Sequence, residues 1–106
     1  MKKLALTFAA AIAISAPALA QSDPAMQENK AAMQKMMTAM EAVQDMDPDM
    51  AFAKKMKAHH QGAIDMADVE LKYGRDSGAK DEARSVKTEN EKSIKKLDAI
   101  LAKIGK

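Results

Sequence analysis

The sequence contains no cysteine and no tryptophan, and after the first twenty residues its only aromatic side chains are Phe52 and Tyr73. The absence of cysteine excludes disulfides, thiolate metal sites and thiol nucleophiles. The scarcity of aromatic rings leaves no platform on which nucleic-acid bases can stack. A small domain without disulfides therefore needs good helix packing or another staple, such as a metal ion.

The first twenty residues have the pattern of a secretory signal peptide. Lys2 and Lys3 form a basic segment, residues 4–14 an apolar segment, and Ala18-Leu19-Ala20 a small-residue cleavage site. Cleavage before Gln21 predicts a periplasmic or secreted protein. The apolar segment is shorter than the roughly 20 residues of a membrane span, so we expect no membrane insertion.

Neither sign of charge is in excess once this leader is removed. Of the 17 Lys and Arg residues, Lys2 and Lys3 lie in the leader, so the remaining 15 balance the 15 Asp and Glu residues. A neutral chain creates no field that attracts nucleic-acid phosphates or an anionic membrane surface. We therefore expect neither of them as a partner.

Helix signals organise the rest of the chain, which is long enough for one small domain. Asp23-Pro24 and Asp47-Pro48 each supply an N-cap followed by proline at the first helical position. Gly74 is expected to be a left-handed C-cap, and Met46 and Asp47 a very short connection. The predicted fold is all-α, a small antiparallel three-helix bundle with helices at about 24–45, 48–73 and 77–104.

Methionine is the residue in excess. Apart from Met1, all methionines lie between residues 26 and 66, so the third helix has none. They form a stripe along the first helix, and in the second helix Met56, His59, Ala63 and Met66 share one face, with His60 beside it. Core filling is one explanation of both stripes. Ligation of a soft metal ion is the other.

Because the first turn is short, helices one and two should be antiparallel neighbours. Residues that lie level with each other on these two helices then have numbers that sum to roughly 96. Met40 then faces Met56, and Met36 and Met37 lie level with the two histidines. Across the second turn the sum is about 152, which brings Asn90 and Ser93 near the histidines as hydrogen-bond partners. Thioether sulfur binds Cu(I) and Ag(I) better than Zn(II). The predicted Cu(I) ligands are Met36, Met37, Met40, Met56, His59, His60 and Met66. The predicted ligands of a second ion, near the first turn, are Met46 and Met50.

Patterns that would indicate an enzyme are missing from this sequence. A ferritin-like di-iron site needs Glu-x-x-His pairs, and a zincin needs His-Glu-x-x-His. Three residues before His59 and His60 stand Met56 and Lys57, and His60 is followed by Gln61. We therefore expect a binding protein and no enzyme.

The most distinctive segment reads Phe52-x-x-x-Met56-x-x-His59-His60-Gln61-Gly62-Ala63-Ile64-x-Met66-Ala67, ends at Tyr73-Gly74 and is followed by Asp76. It resembles the family catalogued as domain of unknown function 305. The resemblance, which covers residues 49–76, implies an exported, ferritin-like helical bundle. CopM-like members imply periplasmic binding of copper and silver through Met and His, here Met56, His59, His60 and Met66. The family tends to carry a Gln-x-x-Glu-Ile-x-x-Met-like segment in helix three, where this chain has Asn90, Ser93, Ile94 and Leu97.

We therefore expect a periplasmic protein that sequesters or transfers Cu(I) or Ag(I) in metal homeostasis or resistance. Its expected partners are the metal ion and another periplasmic copper-handling protein. The alternative is a chaperone or scaffold whose methionines form an adaptable apolar groove, with no metal role. A thin core of Ala and Met is compatible with a homodimer, which no sequence feature selects.

Overall fold

The structure, a computed structural model, describes residues 23–105. The predicted signal peptide and its cleavage site lie outside these residues. The described part of the chain is all-α, without strands, as predicted. It forms a small three-helix bundle of α1 (Pro24–Glu41), α2 (Pro48–Tyr73) and α3 (Ser77–Ile104).

Aspartate side chains start all three helices. Asp23 accepts a hydrogen bond from the Ala25 amide, and Asp76 accepts one from the Ala79 amide. Asp47 accepts from both the Asp49 and Met50 amides, each at 2.9 Å. These bonds satisfy backbone donors that have no partner within the helix, which explains why each helix begins where it does.

The helix ends differ from the sequence prediction at two places. Helix α1 ends at Glu41, four residues early, because its last turn tightens: the Val43 amide bonds to the Met40 carbonyl. Gly74 is extended, with φ −66° and ψ 155°, so the prediction of a left-handed cap is wrong. A β-carbon at Gly74 would collide with the carbonyl and side chain of Glu70, so glycine serves close approach there.

Helix α2 is the centre of the bundle. It packs against α1 on one side and against α3 on the other, whereas no Cα atoms of α1 and α3 within residues 23–105 approach within 8 Å. The three helices therefore form a single layer. Each outer helix has only α2 to pack against, which limits how much apolar surface the layer buries.

The core is made of small and medium side chains. Seven hydrophobic residues and Gly62 are buried, and no large side chain among the described residues is fully enclosed. Helix α1 contributes Ala32 alone, whereas Met33 and Met37 are 48% and 53% exposed. The methionine stripe of α1 is therefore not its core face. The buried hydrophobic residues are Ala32, Ala53, Ile64, Ala67, Val69, Ala83 and Leu97.

The pairing of α1 with α2 is shifted by two to four residues, at most about one helical turn, from the prediction. Lys35 lies 3.5 Å from Asp65, and Lys72 lies 2.8 Å from Glu28, so paired numbers sum to 100 instead of roughly 96. The connection between the helices is longer than the two residues predicted, because α1 ends early. Met36 consequently lies opposite Gly62 and not level with the histidines.

Close contact between Met36 and Gly62 sets the approach of α1 to α2. A β-carbon added to Gly62 would lie 2.5 Å from Met36 Sδ, 2.7 Å from its Cγ and 2.8 Å from its Cβ. The absence of a side chain at this buried glycine lets Met36 settle onto the backbone of α2. Met36 is thus part of the contact between the helices.

Candidate metal centre

The layer has one face on which charged side chains join the helices. Gln61 lines the groove between α1 and α2 and also the groove between α2 and α3, so both grooves open on the same side. We call this side the ion-paired face. The ion pairs that join helices there are Lys35–Asp65, Lys72–Glu28, Lys57–Asp98 and Lys87–Asp68.

Two of these pairs shift the pKa of at least one of their members. The hydrogen bond from Lys72, with a second one from the Tyr73 hydroxyl at 2.7 Å, lowers the pKa of Glu28. The hydrogen bond with Asp68 raises the pKa of Lys87. Both shifts favour the charged forms of Glu28 and Lys87, which are the forms that make these ion pairs.

Helical periodicity places the methionine stripes on the opposite face. On α1, Ala31 and Lys35 line a groove of the ion-paired face, and Met33, Met37 and Met40 lie about half a turn away from them. On α2, the residues about half a turn from Gln61 are Met56, His59, Ala63 and Met66. Both stripes therefore lie on one side of the layer, which we call the Met/His face.

The register determines which groups lie near one another on this face. With paired numbers summing to 98–100, Met40 lies level with His59, and Met56 lies one turn of α2 before His59. Met37 is level with Ala63, and Met33 with Met66. Met40 and Met56 are half-buried, whereas His59 is exposed. Periodicity and register thus place two thioethers and one imidazole on the same side of the layer, within about one helical turn of one another along the helix axes.

The remaining predicted ligands lie elsewhere. Met36 is held between the helices at Gly62, and Met66 is half-buried about two turns after His59. Met46 is 98% exposed in the connection between α1 and α2, and Met50 is half-buried in the first turn of α2. Met46 and Met50 therefore lie near the end of the layer, one turn or more from Met56.

The two histidines have different surroundings. His60 Nδ1 lies 2.6 Å from Asn90 Oδ1, and Asn90 Nδ2 donates to the Val86 carbonyl at 2.7 Å. Because the Asn90 amide group is oriented by Val86, its oxygen accepts and His60 Nδ1 is the donor. This bond turns the His60 ring towards α3. His59, whose ring centroid is 5.9 Å away, lies on the Met/His face.

Sequence reasoning placed Asn90 near the histidines but did not assign it to one of them. The decisive feature is angular: adjacent residues diverge by about 100° on a helix, so only one histidine can face α3. The contact at Gly62 was missed, although a glycine inside a helix is itself a signal of close packing. Ser93, the other predicted partner, is half-buried on α3.

Carboxylates do not assemble with the histidines in the described part of the chain. No group of three or more His, Asp or Glu side chains within residues 23–105 is arranged to hold a metal ion. The candidate centre depends on thioether sulfur together with imidazole. Such a donor set suits a soft monovalent ion.

None of the helices in residues 23–105 is long and apolar enough to cross a membrane.

Comparison with other proteins identifies the family of the chain. No curated protein matches the sequence. Residues 8–101, most of the 106-residue chain, match the family described as Domain of unknown function (DUF305). The chain therefore belongs to this family.

Proposed function

We propose that this protein is exported to the periplasm, where it binds Cu(I), and also Ag(I), and sequesters the ion or transfers it to another copper-handling protein. This function would make it a copper-binding, CopM-like member of its family, with a role in metal homeostasis or resistance and no catalytic activity. The observation that carries the proposal is the position of Met40, Met56 and His59 on one side of the layer.

The donor chemistry supports a soft monovalent ion. Thioethers are neutral and polarisable, and they are poor ligands for harder divalent ions. Two thioethers and one neutral imidazole give a low-coordinate site with no added negative charge. Met37 lies on the same face one turn from Met40 and is exposed, so it is available as a further sulfur donor.

Exposure of the ligands suits a protein that hands its ion on. His59 and Met37 are accessible from solvent, so an incoming ligand from an acceptor protein can replace them one at a time. Transfer would then proceed by ligand exchange, in which a new metal–sulfur or metal–nitrogen bond forms as an old one breaks. Met46 and Met50 at the end of the layer are the proposed ligands of a second ion.

Helix α3 takes little part in the proposed site. Leu97 is buried in the core, at the position where the family tends to have methionine. Asn90 orients His60 and supplies no ligand. We therefore propose that copper is held by α1 and α2, with α3 serving to support α2.

An anaerobic Cu(I) competition titration against a chromogenic chelator tests this function. The double variant Met40→Leu, Met56→Leu removes both sulfurs while conserving side-chain volume. We expect its affinity for Cu(I) to fall roughly a hundredfold, about 2.7 kcal/mol. The matched control is Met26→Leu, on the same helix face but about 21 Å from Met40 along α1, and it should bind as the native protein does.

Equal affinity of the double variant and the native protein would contradict the proposal, as would failure of the native protein to compete with the chelator. The alternative function is a periplasmic chaperone or scaffold without a metal role, and the exposure of Met33 and Met37 favours it. Client binding needs apolar surface but no imidazole. A His59→Ala variant that protects an unfolded client as well as the native protein, combined with no Cu(I) binding by either, would support the chaperone.

A further inference from the structure

We propose that the Met/His face is the interface of a symmetric homodimer, in which two copies of the layer stack face to face. This inference does not rest on metal binding. Because the same face carries Met37, Met40, Met56 and His59, the ion exchange proposed above would take place in the dissociated monomer. It follows from how the apolar side chains of all three helices are distributed, from the incomplete core and from the size of the face.

Helix α3 adds apolar residues to the same side of the layer. Glu91 and Lys95 line the groove that opens on the ion-paired face. Ile100 and Ile104 lie about half a turn away from them, on the Met/His side, and are 43% and 37% exposed. All three helices thus present exposed apolar side chains on one face.

Phe52 extends this surface at the end of the layer where α2 begins. It is 61% exposed and lies on the same stripe of α2 as Met56 and His59. Because α3 runs antiparallel to α2, Ile100 and Ile104 are at the same end as Phe52. The combined surface runs from these residues to Met33 and Met66.

The layer is incomplete as a folding unit. Helical domains bury their apolar stripes between two packed layers, whereas here one layer stands alone and no large described side chain is fully buried. A second copy supplies the missing layer. Stacking would convert Met33, Met37 and Phe52 from exposed to core residues, which gives the second copy a direct thermodynamic reason to bind.

Charge distribution favours a second copy over a charged partner. The ion pairs Lys35–Asp65, Lys72–Glu28, Lys57–Asp98 and Lys87–Asp68 line the opposite face. On the Met/His stripe of α2, from Phe52 to Glu70, the only charged residue is Glu70 at its end. On α3, Glu82, Glu89 and Lys96 share the side of Ile100, so the charges there are of both signs. In an antiparallel two-fold arrangement, the two Glu70 side chains lie at opposite ends of the interface and do not repel each other.

The face is large enough for a stable dimer. Helix α2 has 26 residues and is about 39 Å long. Three helices side by side, at about 9 Å spacing, span about 27 Å. The footprint is on the order of 1,000 Å², compared with about 800 Å² per partner in a standard interface.

Light scattering coupled to size-exclusion chromatography tests the dimer, with the N-terminus of the purified protein identified by mass spectrometry and a chelator present. The interface variant is Met33→Glu, Ile100→Glu, which places charges on two of the helices. The matched control is Gln34→Glu, Ala99→Glu, which changes the adjacent exposed residues on other sides of the same helices. Helix content by circular dichroism reports on folding.

We expect the native protein and the control to have the mass of two chains at a concentration of tens of micromolar, and the interface variant to have the mass of one chain with unchanged helix content. A monomeric native protein would overturn the proposal. It would also be overturned if the interface variant remained folded and dimeric, or if the control dissociated equally. None of these substitutions removes a proposed copper ligand, so failure of the dimer is distinguishable from failure of metal binding.

Discussion

Replacing His59 with alanine should lower the affinity for Cu(I) roughly a hundredfold, whereas replacing His60 should lower it less than about tenfold. His59 lies on the Met/His face, level with Met40 and one turn after Met56. His60 donates from Nδ1 to Asn90 and faces α3. The ranking therefore depends on the direction of each ring and not on residue type, which is the same at both positions.

Competitive titration of the two single variants and the His59→Ala, His60→Ala double variant measures this difference. Asn90→Ala is the control for His60, because it removes the same hydrogen bond and leaves both imidazoles in place. Thermal melts should rank His60→Ala and Asn90→Ala as less stable than His59→Ala, since each leaves one half-buried polar group without its partner. A larger loss of copper affinity from His60→Ala than from His59→Ala would contradict the assignment.

Replacement of Gly62 with valine is expected to destabilise the protein by about 2 kcal/mol, which lowers the melting temperature by about 10 °C. The new β-carbon would meet Met36 along its side chain, at 2.5 Å from Sδ and 2.8 Å from Cβ. Because the Cβ of Met36 is attached directly to the backbone, a change of rotamer cannot move it away. Helices α1 and α2 would have to separate.

Ala63→Val is the matched control, because it adds a β-branched side chain at the next residue, on the Met/His face. We expect it to change stability by less than about 1 kcal/mol. Melts monitored by circular dichroism provide the comparison. Equal destabilisation by Gly62→Val and Ala63→Val would mean that α1 does not approach α2 closely at Gly62.

The three helices could be predicted from local signals. Asp-Pro pairs start α1 and α2, and Asp76 starts α3, because a carboxylate that accepts backbone hydrogen bonds acts within a few residues along the chain. The early end of α1 could not be predicted in the same way. The residues after Glu41 are compatible with helix, and the tighter last turn at Val43 depends on where the chain must go to begin α2.

The way in which the helices pack against one another could not be predicted from the sequence pattern. Hydrophobic periodicity identifies the methionines as the apolar stripe of α1, whereas the structure buries Ala32 and leaves Met26, Met33 and Met37 exposed. Small residues and a glycine allow closer approach between helices than methionines do. Hydrophobicity scales rank side chains singly and do not contain that geometric preference.

The candidate site was predictable in its chemistry and only partly in its geometry. The sequence associates α1 methionines with the histidines, and the shift in pairing changes which of them lie together. Met40 lies level with His59 instead of Met56, and Met36 packs against Gly62. A shift of two to four residues in register is enough to exchange one candidate ligand for another.

X-ray absorption at the copper edge of the anaerobically loaded native protein tests the central claim most directly, because it identifies the atoms bound to the metal. We predict sulfur neighbours together with imidazole nitrogen around Cu(I), and loss of the imidazole signal in His59→Ala. A first shell of nitrogen and oxygen alone, without sulfur, would contradict a thioether and imidazole centre on the Met/His face.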